Sequence, residues 1–293
     1  MATAAQWIQG ARPRTLPAAI APVLIGTAAA FEMDAFRPLN AVLAALVALL
    51  LQVGVNYAND YSDGIRGTDE NRVGPLRLVG SGAASSEHVK YAAFGAFGLA
   101  MLLGLVLVVM TQTWWLLLVG VGCIMAAWGY TGGKNPYGYM GLGEVFVFVF
   151  FGLVATLGTT YTQAGQVSLP AVIGAIGTGL IACALLMANN VRDIPTDTKA
   201  GKRTLAVRLG DKHARESYVL MLAVAILLVV ILAPTRPWML IVLLLIPASL
   251  MPAWLMINGR KRKSLIPVLK QTGLINLGYA ALFSLGLFLG HGL

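Results

Sequence analysis

Two pairs of aspartates interrupt a largely apolar chain of 293 residues. Asp60 and Asp63 are three residues apart and Asp193 and Asp197 four apart, the spacings that bring side chains to one helical face. Each pair follows an asparagine by the same step: Asn56 precedes Asp60 by four residues and Asn189 precedes Asp193 by four. The two copies are offset by 133 residues, from 56 to 189 and from 60 to 193. Facing carboxylates repel unless a cation lies between them, and oxygen-only ligation points to Mg2+. Magnesium takes one or two carboxylates, several waters and substrate phosphates in preference to an all-protein cage. Nearby stand Arg66, Arg72, Arg77, Lys134, Lys199, Lys202 and Arg203, donors suited to a diphosphate. Carboxylates, metal and cations together describe a diphosphate clamp. A single DxxD at the end of a membrane helix is ordinarily a solvated loop end. The repetition, asparagine included, favours function, because ionisable groups at membrane sites are seldom idle.

The elements that position these groups follow from composition. With 58% hydrophobic and 11% charged residues, the chain cannot be arranged around one soluble core; it reads as an all-α integral membrane protein forming a single domain, 1–293. Nine segments approach the ~20 apolar residues of a membrane span: Leu16–Phe31, Leu39–Asn59, Tyr91–Met110, Trp114–Thr131, Leu142–Tyr161, Leu169–Val191, Tyr218–Ala233, Trp238–Ile257 and Pro267–Leu289. The first reads as a membrane helix and not as a removed signal. Nine spans put all of the 21 Lys and Arg except Arg37 and Arg236 on one side, which the positive-inside bias makes cytoplasmic, with the N-terminus. The net charge of +9 is thereby explained without nucleic acid. Of the 12 acidic residues all but Glu32 and Asp34 also fall on that side, which loop solvation does not require. Spans two and six run in the same direction, so the aspartate copies resemble a parallel internal repeat with a site between its halves. Segments 60–90 and 192–216 are long enough to cap it. Cys123 and Cys183 lie in apolar runs as small buried hydrophobes, and His88, His213 and His291 are scattered.

On these residues the chain resembles the UbiA superfamily of membrane prenyltransferases, over essentially its whole length. "NDYSD" (Asn59–Asp63) matches the family's first NDxxD core and "DIPTD" (Asp193–Asp197) its second motif. "NYANDYSDGIRGTD", "VGPLRLVGSG", "YTGGKNPYGYMGLGE" and "NNVRDIPTDTKAGKRTLAVRLG" are most similar to the branch acting on 1,4-dihydroxy-2-naphthoate. Many members continue the first motif as NDxxDxxxD; here Gly67 takes the next step and Asp69 follows two later. The resemblance implies nine transmembrane helices with the two motifs under a cytoplasmic loop cap, in a bacterial inner membrane. It implies a polyprenyl diphosphate donor, a naphthoate acceptor, and demethylmenaquinol, diphosphate and CO2 as products. It further implies that Asp60, Asp63, Asp193 and Asp197, with Asn56 and Asp69, hold Mg2+, as two ions bound with the diphosphate. Lys134 matches a family lysine that holds diphosphate. Asn59 and Asn189 belong to the same substrate-binding set.

Arg14, at the mouth of the first span, is a further candidate for the diphosphate, and Tyr130 could shield an allylic cation with its ring face. Glu144 reads equally as a functional group or as an exposed first-turn residue. Two other functions stay open: a related aromatic prenyltransferase acting on 4-hydroxybenzoate or homogentisate, and a transporter. The aspartates lie at helix ends, whereas transport sites tend to lie near the midplane.

Overall fold

The computed structural model describes residues 2–67, 76–259 and 262–292, with the backbone alone at 262 and 263. Among these residues every regular element is helical. Nine elements carry the nine apolar segments: α1 (Pro17–Glu32), α2 (Pro38–Ile65), α3 (Ser86–Thr111), α4 (Leu116–Gly129), α5 (Gly143–Ala164), α6 (Leu169–Lys199), α7 (Leu205–Leu232), α8 (Pro237–Ile257) and α9 (Ile266–Gly290).

Seven of them, α2, α3 and α5 to α9, are long and apolar enough to cross a membrane. Helix α1 qualifies only together with the preceding segment Ala4–Thr15, from which it is bent by 50°. Helix α4 has 14 residues. Length therefore supports seven or eight spans where hydropathy predicts nine. The difference at α4 arises because Trp114–Trp115 and Thr131 are apolar enough to extend the window yet lie in turns outside the helix.

Helices α2 and α6 run past the predicted span ends at Asn59 and Val191, reaching Ile65 and Lys199. All four motif aspartates are consequently helical, not in loops. Pro195 does not stop α6, although a proline removes one ladder hydrogen bond. The hydroxyls of Thr196 and Thr198 donate to the carbonyls of Asp193 and Ile194, each at 2.8 Å, covering backbone oxygens around it.

Helix α6 is the central element. Its Ile181 and Met187 pack with Tyr218 and Leu222 of α7, Tyr279 and Phe283 of α9 and Ile25 of α1, all nearly inaccessible. Lipid supplies no hydrophobic drive between helices, so close backbone approach through small residues takes its place. A Cβ on Gly152 of α5 would stand 2.8 Å from the Gly179 Cα and the Ala175 carbonyl of α6. One on Gly177 would fall 2.0 Å from the Tyr279 hydroxyl.

Gly179→Leu should therefore push α5 from α6 and cost about 2 kcal/mol or more, the range of core overpacking. Gly120→Ala, where an added Cβ meets nothing within 4 Å, should leave the melting temperature unchanged. Thermal unfolding in detergent, followed by near-UV circular dichroism, checks the pair.

Candidate active site

The first aspartate pair divides its labour. A step of three residues on a helix turns 300°, leaving about 60° between the two side chains. Asp60, fully buried, aims its carboxylate at the segment after residue 75 and accepts the N–H groups of Leu78 at 2.7 Å and Val79 at 3.0 Å. It is not among the residues lining the central cavity, whereas Asp63 is. Asp63 accepts a hydrogen bond from the Tyr139 hydroxyl at 2.6 Å and from Lys202 Nζ at 3.1 Å, with the Arg77 guanidinium at 3.6 Å. The anchor at Asp60 thus sets the neighbouring Arg77 over Asp63.

These groups are nearly dry: Asp63 is 3% exposed and Arg77 9%. Burial, then the charge of Asp63, raises the pKa of the Tyr139 phenol, keeping it a neutral donor. Burial on its own would lower that of Lys202, but Asp63 and Tyr139 together outweigh it and the ammonium stays above its ordinary value. The site therefore carries a standing positive charge beside Asp63. Lys202 also lies over the Tyr139 ring, 4.5 Å from its centroid, a cation–π contact.

Tyr139 is held from both sides. Arg66 donates to the carbonyls of Thr131 and Gly133, Thr131 donates its hydroxyl to Asn59 Oδ1 at 2.7 Å, and Arg203 N–H donates to the Tyr139 carbonyl at 3.0 Å. Gly138 lets the loop close, since a Cβ there would sit 2.6 Å from the Tyr130 carbonyl.

The second pair, at a four-residue step, stays together. Asp193 and Asp197 both line the cavity. Asp193 is gripped by its neighbour Arg192 through Nε at 2.7 Å and a terminal nitrogen at 2.6 Å. Asn56, Asn59, Asn189, Asn190 and Lys199 line the same cavity. Glu144 is not the exposed first-turn residue that the sequence permits. It is 6% exposed and accepts the Asn190 amide at 2.9 Å.

Of the other expected diphosphate ligands, Arg14 and Tyr130 line the cavity. Arg66 braces the 131–133 turn, and Lys134 is exposed; neither belongs to the cavity lining. Asp69 and Arg72 lie outside the described residues. Tyr139 and Arg192 escaped the sequence reading. Both adjoin quoted motifs, but neither has a spacing signal of its own.

The cavity measures about 2230 Å3. From its polar end at Asp63 and Asp193 it follows α4 from Ala127 to Leu116, between Val47 and Leu51 of α2, Met101 and Leu107 of α3, and Phe150 and Val154 of α5. At 1.5 Å per residue that apolar arm is on the order of 20 Å long. Among the described residues no three Asp, Glu, His or Cys side chains form one metal-binding cluster. Three carboxylates and four amides lining the same cavity are hard oxygen donors that suit a cation arriving with phosphates.

The division of labour is testable. Asp60→Ala strips two buried N–H groups of their acceptor and should cost about 2–3 kcal/mol, seen as a lower melting temperature and faster proteolysis near residues 76–85. Asp63→Asn removes the counter-charge that Asp63 gives Lys202 and Arg77 and should also lower the melting temperature, but with residues 76–85 still anchored by Asp60 and protected from proteolysis, while abolishing turnover.

Comparison with known proteins places this geometry. Residues 19–278 match the model of the UbiA prenyltransferase family. The chain is 53% identical over 280 residues to the 1,4-dihydroxy-2-naphthoate octaprenyltransferase of Mycobacterium tuberculosis, covering 96% of each chain. It is 37% identical to the protein of that name in Escherichia coli, over 97% of this chain and 96% of that one. In fold it is similar to a UbiA homolog from Archaeoglobus fulgidus bound to GPP and Mg2+, with a TM-score of 0.71, 16% identity, and coverage of 98% of this chain and all of that one. With these relatives over almost its full length and a buried, cation-flanked carboxylate site at the head of an apolar cavity, the chain belongs to the UbiA prenyltransferase family and is a multi-pass membrane protein.

Proposed function

We propose that this protein transfers a polyprenyl group from polyprenyl diphosphate to 1,4-dihydroxy-2-naphthoate, releasing diphosphate and CO2 and giving demethylmenaquinol. One observation carries the reading: a cavity whose charged end opens directly into an apolar arm, the shape of an isoprenoid bearing an anionic head. The relatives' names supply the acceptor.

The donor's diphosphate lies at the polar end, where Arg77, Lys202 and Lys199 receive it, with Arg192 beside Asp193. Asp63, Asp193 and Asp197 would hold Mg2+, two ions in our reading, with Asn56 and the other cavity-lining asparagines adding neutral oxygens. Bound there, the metal adds positive charge where the leaving group becomes an anion. Asp60 contributes by fixing the segment that carries Arg77. Fixed cations aimed at developing negative charge lower the barrier without reorganising in the reaction. As the allylic C–O bond breaks, the ring carbon forms the new C–C bond. That carbon is the one bearing the carboxylate: its bond to the carboxylate then breaks, CO2 leaves, and the electron pair stays in the ring and restores aromaticity. The allylic C–O pair has left with the diphosphate, so no proton need be removed. Val47, Met101, Phe150 and their neighbours keep water from the allylic carbon, and the Tyr130 ring faces the same space. Exposed Lys134 acts as a distant attractor for the anion.

The polar end faces the cytoplasm and the C-terminus the opposite side. At that opposite end Arg236 pairs with Glu32 and His291 with Asp34, the acidic residues that the charge pattern sets apart.

Purified protein given farnesyl or longer prenyl diphosphate should prenylate the naphthoate at least tenfold faster than 4-hydroxybenzoate or homogentisate; the reverse order would assign another acceptor. Calorimetry should show Mg2+ binding weakly alone and far more tightly with prenyl diphosphate, and the diphosphate reciprocally. Independent binding of the two would instead fit a transport site. Lys202→Ala should lower kcat/KM for the donor by roughly 100-fold, as loss of a charge-assisted contact does, and Lys134→Ala by only a few-fold. For orientation, a cysteine at Ser86 should label from the cytoplasm and one at Ser168 from the other face.

A further inference from the structure

A second polar patch lies in the same cavity, where the turn preceding α1 meets α2 and α9. Arg12, Thr15, Gln52 and Gln271 line it. The hydroxyl of Thr15 spends its proton on the Arg12 carbonyl at 2.9 Å, so towards its other neighbours it can only accept. It accepts from Gln52 Nε2 at 3.0 Å and from Asn56 Nδ2 at 3.0 Å. That fixes the orientation of the Gln52 amide, nitrogen towards Thr15. Gln52 Oε1, on a residue 6% exposed, is left buried with no hydrogen-bond partner among the described residues. On Arg12 and Gln271, which are partly buried, one terminal nitrogen and Oε1 respectively are likewise shut off with no partner among the described residues, the Gln271 amide nitrogen donating to Met251 Sδ at 2.7 Å. Among the described residues Arg12 is moreover one of three non-glycine residues held in the left-handed backbone region, at φ 53°.

Buried polar atoms are almost always satisfied, and a guanidinium nitrogen closed off from water is expensive to leave without a partner. Three orphans lining one cavity, a cationic donor and two amide acceptors, ask for a ligand with a carboxylate and hydroxyl donors. Gln52 and Asp63 are 11 residues apart on α2, three turns along nearly one face and about 16 Å by rise. That sets Gln52 deeper along the same cavity than Asp63, with Asn56 between them. Of the other cations lining the cavity, Arg77 and Lys202 attend Asp63 and Arg192 attends Asp193, while Arg14, Lys199 and Lys270 also reach the lining; Arg12 is the one that the Thr15–Gln52 contact sets beside an orphaned amide.

Resting on the prenyltransferase reading above, we propose that Arg12 binds the carboxylate of the aromatic acceptor and that the Gln52 and Gln271 amide oxygens accept its ring hydroxyls. The patch is then the element that selects a hydroxy-carboxylate ring over the same ring without its carboxylate, and Asn56, which buttresses Thr15, links it to the motif helix.

The test compares wild-type protein with Arg12→Gln, Arg12→Lys and Gln52→Leu. The readouts are the KM for 1,4-dihydroxy-2-naphthoate, the inhibition constant of 1,4-dihydroxynaphthalene, and Mg2+-dependent binding of prenyl diphosphate, which also reports folding. Arg12→Gln should raise the acceptor KM by roughly 10- to 100-fold, the weight of a buried hydrogen bond to a charged group. It should leave the inhibition constant of the carboxylate-free ring and the donor affinity within about twofold. Arg12→Lys should recover part of the loss, and Gln52→Leu should weaken both ring ligands together. If Arg12→Gln weakens the donor instead, its guanidinium belongs to the diphosphate and the inference falls. Equal weakening of both rings overturns it too. Wild-type turnover of the naphthoate with unaltered carboxylate discrimination in the variants defeats this inference alone; a wild-type protein that does not turn the naphthoate over defeats the proposed function as well.

Discussion

A carboxylate almost inaccessible to solvent at the end of a membrane helix must be compensated, because an unpaired buried charge costs several kcal/mol. Asp63 meets that requirement with Lys202, Arg77 and the Tyr139 hydroxyl, which arrive from three separate stretches of chain. Each needs its own support. Arg77 depends on the amides that Asp60 grips, Tyr139 on the bracing of the 131–133 turn by Arg66, and Lys202 on the hairpin-like contact between Arg203 and Tyr139. The segments that join the helices at this end of the bundle are thus organised by the need to pair one carboxylate.

The same compensation prepares the chemistry. Cations already gathered around a carboxylate need little rearrangement to meet an incoming anion, and preorganised charge in a poorly solvated site acts more strongly than in water. At the second pair Arg192 is bound to Asp193 in the same spirit. The site is arranged around ion pairs that a metal-bearing diphosphate would exchange for stronger ones, in keeping with the absence of a closed metal-binding cluster among the described residues.

Below the charged end the cavity is a consequence of helix packing. Glycines draw α5 close to α6 and α6 close to α9, which concentrates the dry core on the α6–α9 side. On the α2–α5 side the short helix α4 and the bulkier residues leave the apolar arm open. One bundle therefore divides into a packed half that gives rigidity and a hollow half that receives an isoprenoid.

Much of this was legible in the amino-acid order. Hydropathy marks every apolar element, the repeated Asn–Asp spacing marks both motifs, and the 131–141 loop announces itself by its glycines and tyrosines. These signals are local: they depend on side-chain chemistry and on helical periodicity within one element. Periodicity alone could not separate Asp60 from Asp63, because a residual 60° of helix rotation matters only once the 76–79 segment is there to receive one of them. Nor could it reveal Tyr139 as a ligand of Asp63, the burial of Glu144 against Asn190, or the unsatisfied atoms of Arg12, Gln52 and Gln271. Each of those depends on which distant groups share a few ångströms of dry space, and that is decided by the packing of helices far apart in the chain. Residue types and spacing determined the membrane class and the kind of chemistry; the tertiary structure decided which carboxylate faces the cavity, because burial and pairing are properties of neighbours that the linear order does not place.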